Sequence, residues 1–163
     1  MSREDIVSDK YARLEIERRW IVIGGIADLI ASATVLDLED RYISGTQLRL
    51  RAVSSADAPP RWKLCKKYPR RDGDPFEFIT NVYLTEAEFR LLSALPGVVA
   101  RKRRYRLAVG SLDVYSFPQT SAVFEVEFDT VAQAASFVPP SFVGQEITGR
   151  ASSSGAALAG AAA

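Results

Sequence analysis

Five segments of this chain share a pattern that few folds can accommodate. Each reads as a strand, and in each the alternate positions carry charges of a single sign. Glu15 and Glu17, followed by Arg19, make one acidic row, and Glu125 and Glu127 make another. Arg49 and Arg51, Lys63 and Lys67, and Lys102 and Arg104 make three basic rows. Like charges two residues apart on a strand sit about 7 Å from one another and repel unless something of opposite sign lies near. The opposite faces are apolar (Leu14/Ile16, Leu48/Leu50, Trp62/Leu64, Phe124/Val126/Phe128) and require a core. A single such strand is ordinarily a solvated face; five together are not.

A sheet closed into a barrel resolves the conflict, because one set of faces points inward and the other outward. The apolar set then lies outside under helices, and the lumen holds Arg19, Arg49, Arg51, Lys63, Lys67, Lys102 and Arg104 opposite the four glutamates. Such a lumen suits a polyanion bound together with a divalent metal. Cations grip phosphate oxygens, and carboxylates hold the ion that bridges them. Composition narrows the chemistry further. The chain has no histidine, which excludes His-based acid–base catalysis, Ser-His and Cys-His nucleophiles and His-containing zinc sites. Any metal must be a hard cation on oxygen ligands. One cysteine, Cys65, allows no internal disulfide and fits a reducing compartment.

At 163 residues the chain is long enough for one domain with a real core. Residues 1–10 are polar and read as loose or weakly helical. Strands are expected over Tyr11–Val22, Val35–Ile43, Gln47–Val53, Trp62–Tyr68, Phe76–Leu84, Val98–Leu107, Ser111–Phe117 and Ala122–Asp129. A further segment, Phe142–Thr148, follows Pro139-Pro140. Short helices are expected over Ile26–Thr34 and Val131–Phe137. Thr85 and Glu88 form a capping box that opens the clearest helix, which Pro96-Gly97 ends. The short turns between strands make the sheet antiparallel. Residues 1–150 form the domain, and 151–163 an Ala/Ser/Gly-rich tail with at most one weak helix near Leu158.

In this order the motifs resemble the CYTH, or triphosphate tunnel metalloenzyme, family. Glu15-Ile16-Glu17-Arg18-Arg19 is similar to its E-x-E-x-K strand. Leu48 to Arg51, Lys63 to Lys67, Lys102-Arg103-Arg104, Leu112-Asp113-Val114, Glu125-Val126-Glu127 and Gly144 to Thr148 follow its later elements in order. The chain departs from the pattern in three places. Arg19 replaces the lysine, Cys65 replaces a small hydroxyl residue, and Gly149-Arg150 stands where the family often has an acidic residue and a tyrosine.

The resemblance implies an α+β, mainly antiparallel fold: an eight-stranded closed β-barrel with a few surrounding helices. It implies hydrolysis of a triphosphate with Mg²⁺ or Mn²⁺ as cofactor. Glu15, Glu17, Glu125 and Glu127 would hold the metal, and Glu15, Glu17, Arg19 and Glu146 would act in catalysis. Arg49, Arg51, Lys63, Lys67, Lys102 and Arg104 would bind the phosphate chain, with Asp113 orienting water or a lumen cation. Adenylyl cyclase and thiamine triphosphatase activities belong to the same family and stay open, as does a non-catalytic polyphosphate- or nucleotide-binding module. An organic group would need an aromatic pocket at the tunnel mouth, for which Trp20, Tyr42, Trp62, Tyr68 and Tyr105 are candidates, each read first as core.

The partner expected is a triphosphate-containing small molecule, with a homodimer left open. The basic run Arg101–Arg106 is read as lumen and solvated face rather than a nucleic-acid surface, because net charge is only +1. The N-terminus lacks the apolar core of a secretory signal, and no apolar run spans a bilayer. A cytoplasmic protein with no membrane partner is expected.

Overall fold

A computed structural model describes residues 10–70, 74–118, 121–150 and 154–160. The start of the chain (residues 1–9) and parts of the tail therefore lie outside the described residues. The elements run β1 Arg13–Val22, α1 Ala27–Ile30, β2 Thr34–Ile43, β3 Leu48–Ser54, β4 Arg61–Lys67 and β5 Glu77–Leu84. There follow α2 Glu86–Leu92, β6 Gly97–Arg106, β7 Ser111–Phe117, β8 Ser121–Phe128, α3 Val131–Ser136, β9 Val143–Glu146 and α4 Gly155–Leu158. Every strand pairing is antiparallel.

The sheet runs β5-β4-β3-β2-β6-β7-β8-β1, and β1 returns to pair with β5, closing eight strands into a barrel. The closing seam is short: Arg13↔Ile79, Leu14↔Phe78 and Glu15↔Glu77. Further along, β1 takes β9 on that same edge, through Trp20↔Glu146 and Val22↔Val143. The β6–β7 connection is a tight loop in which Gly110 takes a φ of +74°, and a Cβ there would lie 2.5 Å from the Glu125 carbonyl.

The two faces of the strands part as alternation requires. Trp20, Leu112, Phe124 and Val126 point outward and are buried beneath Ile26, Ile30, Phe137 and Phe142, from α1 and the segments around α3 and β9. Helix α2 covers β4 through Phe89 against Trp62, ring centroids 6.4 Å apart. Its Thr85–Glu88 capping box is present, and α3 carries a second one from Thr130 and Gln133. The helical cover is incomplete, since Leu14, Phe78 and Val82 stay 40% to 50% exposed. On the same outer surface Arg101 pairs with Glu39 and Arg103 with Asp37, so those two arginines form a solvated ladder.

One end of the barrel is filled. Ala100, Tyr115, Val123, Ile147 and Ala159 form a buried apolar cluster joined by Ile21, Tyr42, Val98 and Leu158. The tail supplies Leu158 and Ala159, and Gly155 passes so close to Tyr42 that a Cβ would lie 2.2 Å from its hydroxyl oxygen. Segment 154–160 is therefore docked onto the barrel end.

Candidate functional site: a charged tunnel

Contacts that skip a strand show which side chains face the lumen. Lys67 on β4 reaches across β5 to β1, with Nζ 2.7 Å from Glu15 Oε2 and 3.6 Å from Glu17 Oε1. The same ammonium lies 3.4 Å from Glu77 Oε1, and Arg70 lies 3.5 Å from that atom. Arg104 on β6 grips Asp113 on β7 with two bonds of 2.7 and 2.8 Å, and reaches past it to Glu125 on β8. Lys102 donates to Asp113 and lies 5.0 Å from the ring centre of Tyr115. Arg19 lies 3.8 Å from Glu125, its partner in the β1–β8 register, and Glu17 stands opposite Glu127.

A second knot forms on β2 and β3. Arg51 holds Asp40 through paired bonds of 2.5 and 2.7 Å, and Arg49 lies 3.8 Å from the same carboxylate. Burial works against the charge of Asp40, but Arg51 and then Arg49 outweigh it and hold the carboxyl well below the usual range. Asp113 is held low in the same way, burial being offset by Lys102 and Arg104. Glu125 also titrates low, because Arg104 overcomes its burial.

Two groups stand out from this compensated lattice. Burial pushes the Glu17 carboxyl up, and Glu125 and Glu15 add to that push against Lys67. Burial, Arg51 and Arg49 together push the Lys63 ammonium down to about 8. Neighbouring charge thus fails to offset burial at Glu17 and adds to it at Lys63.

Glu15, Glu17 and Glu77 each offer a carboxylate oxygen, and the three oxygens lie within 4.8 Å of one another. All three are half-buried, their donors are hard oxygens, and their mutual repulsion is already drawing in an ammonium. That donor set fits Mg²⁺ or Mn²⁺.

The sequence-derived residues are thus distributed unevenly. Glu15, Glu17, Arg19, Arg49, Arg51, Lys67, Lys102, Arg104, Asp113 and Glu125 meet in the contacts above. Lys63 faces the same space beside Arg51, and Glu127 is exposed. Glu146 sits elsewhere. As the register partner of outward-facing Trp20, it takes bonds of 2.9 and 2.6 Å from Arg18 and one of 2.7 Å from Thr148. Arg18 also donates to the carbonyls of Ala134 and Phe137 and stacks over Trp20, so Glu146 locks the outer shell. Among the aromatic candidates, Trp20 is buried in the outer shell and Tyr42 lies at the filled end. Trp62 borders the tunnel mouth, beside a residue not foreseen, Tyr83. Asp40, Glu77 and Arg70 were likewise not foreseen.

The mouth opposite the filled end is a cavity of about 170 Å³. Arg51, Arg61, Lys63, Arg104 and Arg106 line it with no carboxylate among the lining residues.

No protein-family profile matches the chain, and no curated protein is similar to it in sequence. Solved structures are similar. A crystal structure of the inorganic triphosphatase NE1496 superposes with a TM-score of 0.56 at 23% identity, covering 89% of this chain and 93% of that one. A second crystal structure, of the hypothetical protein NE1496, gives the same TM-score at 24% identity, covering 89% and 97%. With the closed eight-stranded antiparallel barrel, these likenesses give the chain the triphosphate tunnel fold that its sequence resembles.

Proposed function

We propose that the chain is a metal-dependent hydrolase of a triphosphate, with inorganic triphosphate the simplest substrate. One observation carries the reading. Inside a closed barrel, a triad of carboxylates faces a basic wall, and the tunnel opens through a mouth whose charged lining residues are all cations. The inorganic triphosphatase activity in the name of NE1496 supports it as analogy of fold.

Glu15, Glu17 and Glu77 would hold Mg²⁺ or Mn²⁺, with Glu125 and Glu127 as the adjoining carboxylates on β8. Such an ion, when bound, neutralises charge on the phosphate chain and renders a water nucleophilic. The rest falls to the chain's own residues. Arg49, Arg51, Lys63, Lys102 and Arg104 bind the phosphate oxygens, and the arginine forks fix them in a plane. Asp40 and Asp113 hold those cations in place, so little is spent on ordering them when the substrate arrives. Lys67 leaves the carboxylate triad for the phosphate chain, and Arg19 keeps Glu125 oriented.

Glu17→Gln tests this. It should abolish metal-stimulated phosphate release from triphosphate while leaving the fold intact by circular dichroism. Undiminished turnover in that variant refutes the reading. A second reading, a polyphosphate-binding module without turnover, is favoured by the salt-bridged Arg19 in place of lysine. Tight triphosphate binding with no phosphate release in Mg²⁺ or Mn²⁺ decides for it. Phosphate release from ATP and thiamine triphosphate, and cyclic AMP formation, separate the other activities of this fold.

A further inference from the structure

The cations at the mouth are arranged in two tiers, and only the inner tier is shared with the tunnel lattice. Arg51 is neutralised by Asp40, and Arg104 by Asp113 and Glu125. Lys63 stands beside Arg51 in the β3–β4 register without a carboxylate of its own among the described residues. Arg61 lies one alternate-residue step outward along β4 from Lys63, and Arg106 one such step outward along β6 from Arg104, about 7 Å in each case. Both are exposed, both border the cavity, and neither has an ion pair among the described residues.

Exposed cations facing one cavity from two strands repel each other, and nothing acidic in the wall of this mouth offsets them. The opposite end of the barrel is filled by Tyr115, Val123, Ile147 and Ala159, so a bound phosphate chain does not leave through that end. A chain longer than the tunnel encloses that leaves through this mouth runs over Arg61 and Arg106.

We propose that Arg61, Arg106 and the outer side of Lys63 form a second anion subsite, which holds the outward tail of a linear polyphosphate whose end occupies the tunnel. The proposal rests on the triphosphate reading of the tunnel and deepens it by naming the substrate class. An adenine nucleotide fits the mouth less well. Beyond the cations its wall is Leu36, Leu38 and Val53, with Trp62 and the 71%-exposed Tyr83. It offers no side-chain amide, carboxylate or aliphatic hydroxyl to read the edge of a base. Entering this mouth end first, a long chain presents two usable ends, as triphosphate itself does. A gain in affinity with length therefore measures new contacts rather than a larger number of binding registers.

The experiment is calorimetric titration of the full chain, in EDTA so that nothing is hydrolysed, with triphosphate, a linear polyphosphate several times longer, and ATP. The longer chain should bind about tenfold more tightly than triphosphate, the scale of one or two charge-assisted contacts. Its affinity should also fall more steeply with salt. In the double variant Arg61→Gln/Arg106→Gln the preference should vanish with triphosphate affinity nearly unchanged, and Arg61→Lys/Arg106→Lys should restore it. Equal affinity for both lengths in the parent chain, or a preference that survives the double glutamine variant, overturns the subsite. Tighter binding of ATP than of triphosphate, lost in Tyr83→Ala, overturns it in favour of an aromatic group. Failure to bind triphosphate at all would instead remove the tunnel reading on which the subsite stands.

Discussion

Lys63 is the lumen cation held least comfortably. Burial first, then Arg51 and Arg49, bring its ammonium from an ordinary 10.5 to about 8. Between those values the unfolded chain keeps a proton that the folded chain has released, so native stability should rise with pH from about 8 to about 10.5. A phosphate ligand favours the charged form, so triphosphate affinity should fall over the same range. Lys63→Met should flatten both trends. Urea unfolding of the two proteins at a series of pH values checks the first, and identical slopes would refute it. The residues of the lattice differ in how visible they are before folding. Glu15, Glu17, Arg49, Arg51, Lys102 and Arg104 announce themselves because charge recurs at period two with a constant sign. Asp40 does not, because its row on β2 is otherwise Leu36, Leu38 and Tyr42. It looks like a flaw in an apolar face until the register sets it opposite Arg51. Glu77 is hidden in the same way and becomes meaningful only when the barrel closes it onto Glu15.

At the scale of elements, alternation places the eight barrel strands to within a residue or two, and Thr85 with Glu88 marks α2, because both signals are local. The Thr130–Gln133 box that opens α3 has the same local form and was there to be read. Helix α4 is different. Ser154 caps it by accepting from the Ala157 amide at 3.1 Å, but four residues of Gly, Ala and Leu have no apolar period to betray a docked face. Its docking is a property of the partner surface, where Tyr42 leaves room for a residue without a side chain. Gly155→Ala should therefore cost about 1–3 kcal/mol, the usual penalty of overpacking, because Tyr42 is held in the apolar cluster and cannot simply withdraw. A midpoint of denaturant unfolding equal to that of the parent chain would show that this end of the barrel is loose.

At the scale of the whole molecule, a net charge of +1 conceals a local cluster of acidic groups within the lumen, and that cluster falls on the barrel's closing seam. Strands β2 and β6 pair over ten residues, whereas β1 and β5 pair over three, one of them the like-charged pair Glu15↔Glu77. Like charges directly opposite each other weaken a sheet, and on the other edge of β1 Glu17 faces Glu127 in the same way. Lys67 offsets part of this repulsion from the neighbouring strand β4. A dication among Glu15, Glu17 and Glu77 would do so more completely and would join the two strands of the seam. Binding linkage then predicts that Mg²⁺ or Mn²⁺ at about 100 times its dissociation constant stabilises the fold by about 2.7 kcal/mol. For a chain of this size that is roughly 5–10 °C in Tm. The same ion should slow amide exchange at the β1–β5 pairs more than at the β2–β6 pairs. Glu77→Gln removes one half of the like-charged pair, so the metal-free variant should melt higher than the metal-free parent and respond little to the ion. A variant that keeps the full metal-induced shift would place the ion elsewhere in the tunnel and leave the seam to Lys67 alone.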